Sequence, residues 1–188
     1  MIELKNVSFS YGDSQILKDF NLTVCGGECI QLFGASGSGK TTVARLILGL
    51  EKANSGSIVV PQKISAVFQE DRLLENLDVI KNIRLTTTKD KYEYADRLLK
   101  EFDLYSIRKK RVSQLSGGMK RRVALVRAIA FCGDALLLDE PFNGLDSDNK
   151  KIAADIIKRD FIEQNKPVVL ITHIKEDADI LGAKIIKM

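Results

Sequence analysis

Eight residues, Gly34-Ala35-Ser36-Gly37-Ser38-Gly39-Lys40-Thr41, join three glycines to a lysine and a hydroxyl at a spacing that suits phosphate chemistry. Glycines let a backbone wrap closely round a phosphate with its N–H groups turned inward. A helix starting at the end of such a loop adds a positive partial charge. Lys40 then reaches the β- and γ-phosphates of a nucleoside triphosphate, and the Thr41 hydroxyl, followed by Thr42, holds a magnesium ion. The flanks supply the required context. Cys29-Ile30-Gln31-Leu32-Phe33 reads as a buried strand before the loop, and Thr42 to Leu48 reads as a helix after it. The bland alternative is a glycine-rich turn without a ligand.

A second segment has related chemistry. Leu115-Ser116-Gly117-Gly118-Met119 precedes a helical pattern from Lys120 to about Phe131. Ser116 suits a helix N-cap, and the two glycines leave backbone N–H groups open at a helix start. The chain thus carries two phosphate-binding surfaces. Two chains paired head to tail would close both surfaces on one nucleotide.

With these motifs the chain resembles the ABC ATPases, the nucleotide-binding subunits of ABC transporters. Leu115-Ser116-Gly117-Gly118 is similar to their signature motif, and further landmarks follow in the family's order. Tyr11, in Ser8-Phe9-Ser10-Tyr11-Gly12, matches the aromatic that stacks on adenine, with Phe9 and Tyr11 as simple core residues the alternative. Gln69, in Val67-Phe68-Gln69-Glu70, matches the Q-loop glutamine that contacts magnesium or the attacking water. Leu136-Leu137-Leu138-Asp139-Glu140-Pro141 matches the Walker B strand. There the resemblance gives Asp139 the magnesium ion and Glu140 the polarisation of the attacking water, a general-base role. Gly144-Leu145-Asp146 matches the end of the D-loop. His173, the only histidine, matches the switch residue that contacts the γ-phosphate. Lys120-Arg121-Arg122 lies where the family commonly has basic residues, with a structural or phosphate-side role.

The resemblance covers nearly the whole chain. It implies an α/β fold: a P-loop NTPase core of RecA type with a mostly parallel sheet, an N-terminal antiparallel β subdomain and a helical signature-motif subdomain. Residues 1–69 and 134–188 would form the nucleotide-binding part and residues 70–133 the helical part. It also implies ATP and Mg²⁺ as ligands. The implied partners are a second copy or a related ATPase, and separate transmembrane permease subunits, with this chain cytoplasmic and peripheral on the inner face of the cell membrane. The groove beside Gln69 to Asn82 would transmit closure to the permease. The segment Val67 to Leu74 is similar to that of bacterial importers of the nitrate, sulfonate and taurine kind. Two features depart from the family pattern. Met119 replaces the usual glutamine, and the stretch from Lys40 to Gln69 is short, as if a hairpin were trimmed. The end at Met188 leads us to expect no C-terminal clamping domain and a dimer that depends on ATP.

Rival readings fail on specific residues. A GTPase needs an Asn-Lys-x-Asp motif to read its base, and neither Asn149-Lys150-Lys151-Ile152 nor Asn165-Lys166-Pro167-Val168 provides it. A small-molecule kinase has no use for the signature motif. A non-transport ABC ATPase acting on ribosomes or nucleic acid usually carries paired cassettes or a long coiled coil. This chain has one cassette and no sustained heptads.

The elements that must position these residues are legible in outline. Short strands are expected at Ile2–Phe9, Ile16-Leu17 and Leu22–Val24, and a strand pair around Gly56 to Val60. Tyr92 to Phe102 reads as a helix with Tyr94, Ala95, Leu98 and Leu99 along one side. Ala135–Leu138 and Val168–Thr172 read as apolar parallel strands, with a helix from Ser147 to about Glu163 between them. Apolar residues make up 45% of the 188, enough for one domain with a good core. The net charge of +4 is too mild to imply nucleic acid. No apolar run reaches the ~20 residues that span a bilayer, and the N-terminus lacks a signal-peptide pattern. Cys25, Cys29 and Cys132 read as reduced core thiols; a metal site from Cys25, Cys29 and His173 is the alternative. Arg108-Lys109-Lys110-Arg111 reads as a solvated edge, or as a contact for acidic surfaces or lipid head groups.

Overall fold

The computed structural model describes residues 1–188. In chain order the elements are β1 (Ile2–Tyr11), β2 (Ser14–Val24), β3 (Cys29–Phe33), α1 (Lys40–Ile47), β4 (Ser55–Val59), β5 (Ile64–Val67) and α2 (Val79–Arg84). They continue with α3 (Tyr92–Glu101), α4 (Gly117–Ala130), β6 (Ala135–Asp139), α5 (Ser147–Ile157), β7 (Val168–Ile171), α6 (Lys175–Leu181) and β8 (Lys184–Lys187).

Five strands form one sheet in the order β5-β6-β7-β3-β8, and every neighbouring pair is parallel. Parallel strands need both faces covered, which explains why β7 is apolar throughout and β6 is apolar up to its last residue, Asp139. Alternate side chains serve different cores. Leu136, Leu138, Val168 and Leu170 pack with α3, α4 and α5 on one face. Ala135, Leu137, Val169 and Ile171 pack with β1, β2 and α1 on the other. The residues of α2 and α3 share the first core with Leu136 and Leu138.

The second sheet is antiparallel, in the order β2-β1-β4. Two expectations change here. Ile16-Leu17 and Leu22–Val24 belong to one long strand, β2, because irregularities in its register with β1 absorb the polar interruption. The strands at Gly56 to Val60 are not a pair. Strand β4 lies on β1, whereas β5 joins the parallel sheet beside β6. Helix α3 is as read, with Ala95, Leu98 and Leu99 buried. Helix α4 starts at Gly117, three residues before the expected Lys120, because the Ser116 hydroxyl caps Met119 N. Asp146 caps α5 in the same way.

Candidate active site

Parallel strands bring their C-terminal ends to one edge of the sheet, the edge where α/β folds place ligands. The register aligns Leu32 of β3 and Asp139 of β6 with Ile171 of β7, and Val67 of β5 with Leu138. Four separate segments therefore end side by side: the loop from Gly34, Gln69 after β5, Asp139-Glu140 ending β6, and His173 after β7. Together they line a cavity of about 420 Å³.

The glycine loop forms one wall. Gly34, Ser36, Gly37, Gly39, Lys40, Thr41 and Thr42 all line the cavity. Gly39 has φ 97°, and a Cβ there would lie 3.1 Å from Leu17 and 3.2 Å from Ile16. A Cβ on Gly34 would come within 2.7 Å of Ser38 Oγ. Both positions need glycine. Lys40 Nζ folds back into the loop and donates to Gly34 O at 2.8 Å, Ala35 O at 2.7 Å and Ser38 Oγ at 3.3 Å. Ala35 and Ser38 thus shape the loop rather than line the cavity.

The opposite wall is acidic. Burial, and then the neighbouring Glu140 carboxylate, pushes the Asp139 carboxyl up from the ordinary range. Glu140 sits at φ 49°, in the left-handed region, with its N–H donating to Ile171 O at 2.8 Å. Its carboxylate accepts from Thr172 Oγ1 at 3.1 Å and lies 2.8 Å from His173 Nδ1. Thr172 Oγ1 also lies 3.2 Å from Asp177 Oδ2, so its one proton is shared between the two carboxylates. Two adjacent carboxylates facing a threonine hydroxyl and a glutamine across a small cavity suit a hard divalent cation. Asp139, Thr41 and Gln69 would hold Mg²⁺.

A family model described as ABC transporter matches residues 17–143. The chain belongs to the ABC transporter family, as one of its ATPase cassettes. It is 37% identical over 191 residues to the aliphatic sulfonates import ATP-binding protein SsuB 1 of Rhodococcus jostii (strain RHA1), covering 98% of this chain and 78% of that one. It is 33% identical over 218 residues to the phosphonates import ATP-binding protein PhnC of Fusobacterium nucleatum, covering 100% and 88%. The fold superimposes on the dimeric structure of MJ0796, a bacterial ABC transporter cassette, with TM-score 0.86 and 28% identity, over 100% of this chain and 94% of that one. A post-hydrolysis dimer of MJ0796 bound to ADP and Pi gives TM-score 0.87 at the same identity and coverage.

Some expected site residues of the cassette lie elsewhere. Tyr11 ends β1 and does not line the cavity. Its ring meets Phe9 edge-on at 4.7 Å, and its exposed hydroxyl lies between Arg45 and Glu51. Phe9 is core and Tyr11 is surface. Ser116, Gly117 and Gly118 also lie outside the cavity. A Cβ on Gly118 would meet Gly144 O at 2.9 Å, so the signature loop rests on the D-loop. Met119 packs partly buried against the core while its N–H takes the Ser116 cap, so replacing glutamine leaves the helix start intact.

The cysteine reading needs correction. Cys29 is buried, Cys132 half-buried and Cys25 exposed. Cys29 begins β3 whereas His173 follows the far end of β7, so the length of the sheet separates them, and no three His, Cys, Asp or Glu side chains gather. The basic cluster is mixed. Arg108 stacks on Tyr105 at 3.9 Å, while Lys109, Lys110 and Arg111 are exposed.

Two residues have roles that the sequence left open. Thr172 reads there only as the last residue of an apolar strand. Arg121 reads as one of three cations with a structural or phosphate-side role, and it is the one that is 3% exposed. Its spacing of four from Leu125 and seven from Ala128 was the available signal, since it places the guanidinium on the buried face of α4.

Proposed function

We propose that the cassette hydrolyses ATP at a site shared between two chains and couples that hydrolysis to import by separate permease subunits. The observation that carries this reading is the split between the two phosphate-binding surfaces. Lys40, Glu140, Gln69 and His173 share one cavity, while Ser116, Gly117 and Gly118 lie outside it on the same chain. A second chain, head to tail, would bring its own Ser116–Gly118 over the first chain's P-loop.

Each residue then has a distinct task. The loop amides from Gly34 to Gly39, with Lys40, bind the β- and γ-phosphates. Tyr11 offers an aromatic face to adenine once it leaves its contacts with Arg45 and Glu51. Thr41, Asp139 and Gln69 would hold Mg²⁺, which would supply charge neutralisation at the phosphates. Glu140 orients a water and accepts its proton. His173, at 2.8 Å, holds the Glu140 carboxylate and faces the γ-phosphate. Catalysis is mainly positioning and electrostatic stabilisation in an interface that excludes water.

No helix of the chain is long and apolar enough to cross a membrane, so movement across one needs a partner. A groove of about 340 Å³ lined by Leu48, Leu50, Phe68 and Phe131, next to but not including the stretch from Gln69 to Asn82, offers an apolar seat for a permease helix on the inner face of the membrane. The relatives' names cover sulfonates, phosphonates, sulfate and polyamines, so the import direction is shared and the solute is set by the partners. Purification of the tagged protein in mild detergent from its native cells tests the reading. A polytopic membrane protein at near-equal stoichiometry is expected. Ribosomal or DNA-processing proteins in its place would favour a non-transport cassette.

A further inference from the structure

We propose that Arg121 is a positioning residue for ATP hydrolysis, fastening the signature helix to both the Glu140 turn and the Gln69 loop. The proposal rests on the ATPase reading above. The guanidinium is almost wholly buried and uses all three nitrogens. Nε donates to Pro141 O at 2.9 Å. Nη2 donates to Asp139 O at 2.9 Å and to Glu140 O. Nη1 donates to Phe68 O at 2.7 Å and pairs with the Asp71 carboxylate at 3.0 Å, with Gln69 O at 3.4 Å.

Three successive carbonyls, from Asp139 to Pro141, therefore converge on one side chain. They belong to a turn whose middle residue, Glu140, has φ 49°. Such a conformation persists in a non-glycine residue only when its surroundings over-determine it. On one side the Glu140 N–H is fixed to Ile171 O, and on the other Arg121 fixes the carbonyls. The result aims the Glu140 side chain at Thr172 and His173. The same guanidinium holds the backbone on either side of Gln69. Arg127, two turns further along α4, adds bonds to Asp71 O and Arg72 O, both at 2.7 Å.

Arg121 is also five residues from Ser116, the cap of α4 that would serve the partner chain's nucleotide. One rigid helix thus touches two composite sites, the partner's through Ser116 and its own through Arg121. A fork of donors is needed for this task. Lysine offers donors from a single point, and methionine offers none.

The test compares wild type with Arg121→Lys and Arg121→Met in the full chain. Readouts are kcat and KM for ATP with magnesium, binding of trinitrophenyl-ATP, and far-UV circular dichroism. Analogue affinity and KM should stay within about twofold, while kcat falls about tenfold in Arg121→Lys and about a hundredfold in Arg121→Met. Folded Arg121→Met with wild-type kcat, or parallel loss of binding and kcat, overturns the proposal. If neither variant folds, Asp71→Asn decides, because it removes only the part-exposed anion. A severalfold lower kcat with unchanged binding supports the proposal, and wild-type kcat overturns it. Wild-type protein that turns over no ATP overturns the ATPase reading and this proposal with it. An active wild type with insensitive variants overturns this proposal alone.

Discussion

His173 Nδ1 lies 2.8 Å from Glu140 Oε1, across the C-terminal ends of two neighbouring parallel strands. The contact joins the single histidine of the chain to the carboxylate that ends Walker B. With Thr172 on the second oxygen, the Glu140 side chain has little freedom before any substrate arrives.

Glu140→Gln should therefore keep the loop, the helix and the cap contacts but lose the proton acceptor. ATP affinity is expected to stay within about threefold while turnover falls about 10²–10⁴-fold, the usual range for a general base. Phosphate release and analogue binding, measured side by side, check this. Near-normal release would remove Glu140 from the role. The variant with ATP should also run as a dimer by light scattering.

Lesions on the two surfaces should complement in mixed dimers. Lys40→Ala disables the P-loop side and Ser116→Arg the signature side, so each homodimer should be inactive. A mixed dimer contains one site with both lesions and one with neither. Mixing the two inactive proteins should restore a measurable fraction of activity. No recovery, with mixed dimers shown by mass, would sink the shared-site geometry.

The thiols should differ sharply in reactivity. Burial pushes the Cys29 thiol up to about 12, so its thiolate fraction at pH 8 is about 10⁻⁴. Cys25 is exposed and Cys132 is half-buried, with its thiol raised by burial. A maleimide at pH 8 should label Cys25 first, Cys132 slowly and Cys29 only after unfolding, as read by peptide mass. Cys29 should stay slow as the pH rises toward 10, because burial keeps its thiol protonated.

Leu138→Ala removes a fully buried side chain from the layer between the sheet and α4. Unfolding free energy should drop by about 2–5 kcal/mol, the cost of lost transfer energy plus a cavity. Denaturant melts check this. A loss below about 1 kcal/mol would mean the site collapses around the deletion.

Short-range patterns made much of this protein legible from its sequence alone. The P-loop, the capped signature helix, the apolar runs of β6 and β7 and the α3 stripe are local, so spacing reveals them. Tertiary structure decided what local pattern leaves open. Strand β4 pairs with β1 and β5 with β6 because backbone hydrogen bonds choose partners by long-range geometry, which sequence spacing does not encode. Cys25 is exposed although its neighbours are apolar. Arg121 is the clearest case. Beside Lys120 and Arg122 it reads only as one of three cations with a structural or phosphate-side role, but the strained Glu140 turn leaves carbonyls inside the fold, and buried carbonyls must find a donor. Which cation serves them was fixed only when α4 packed against the end of β6.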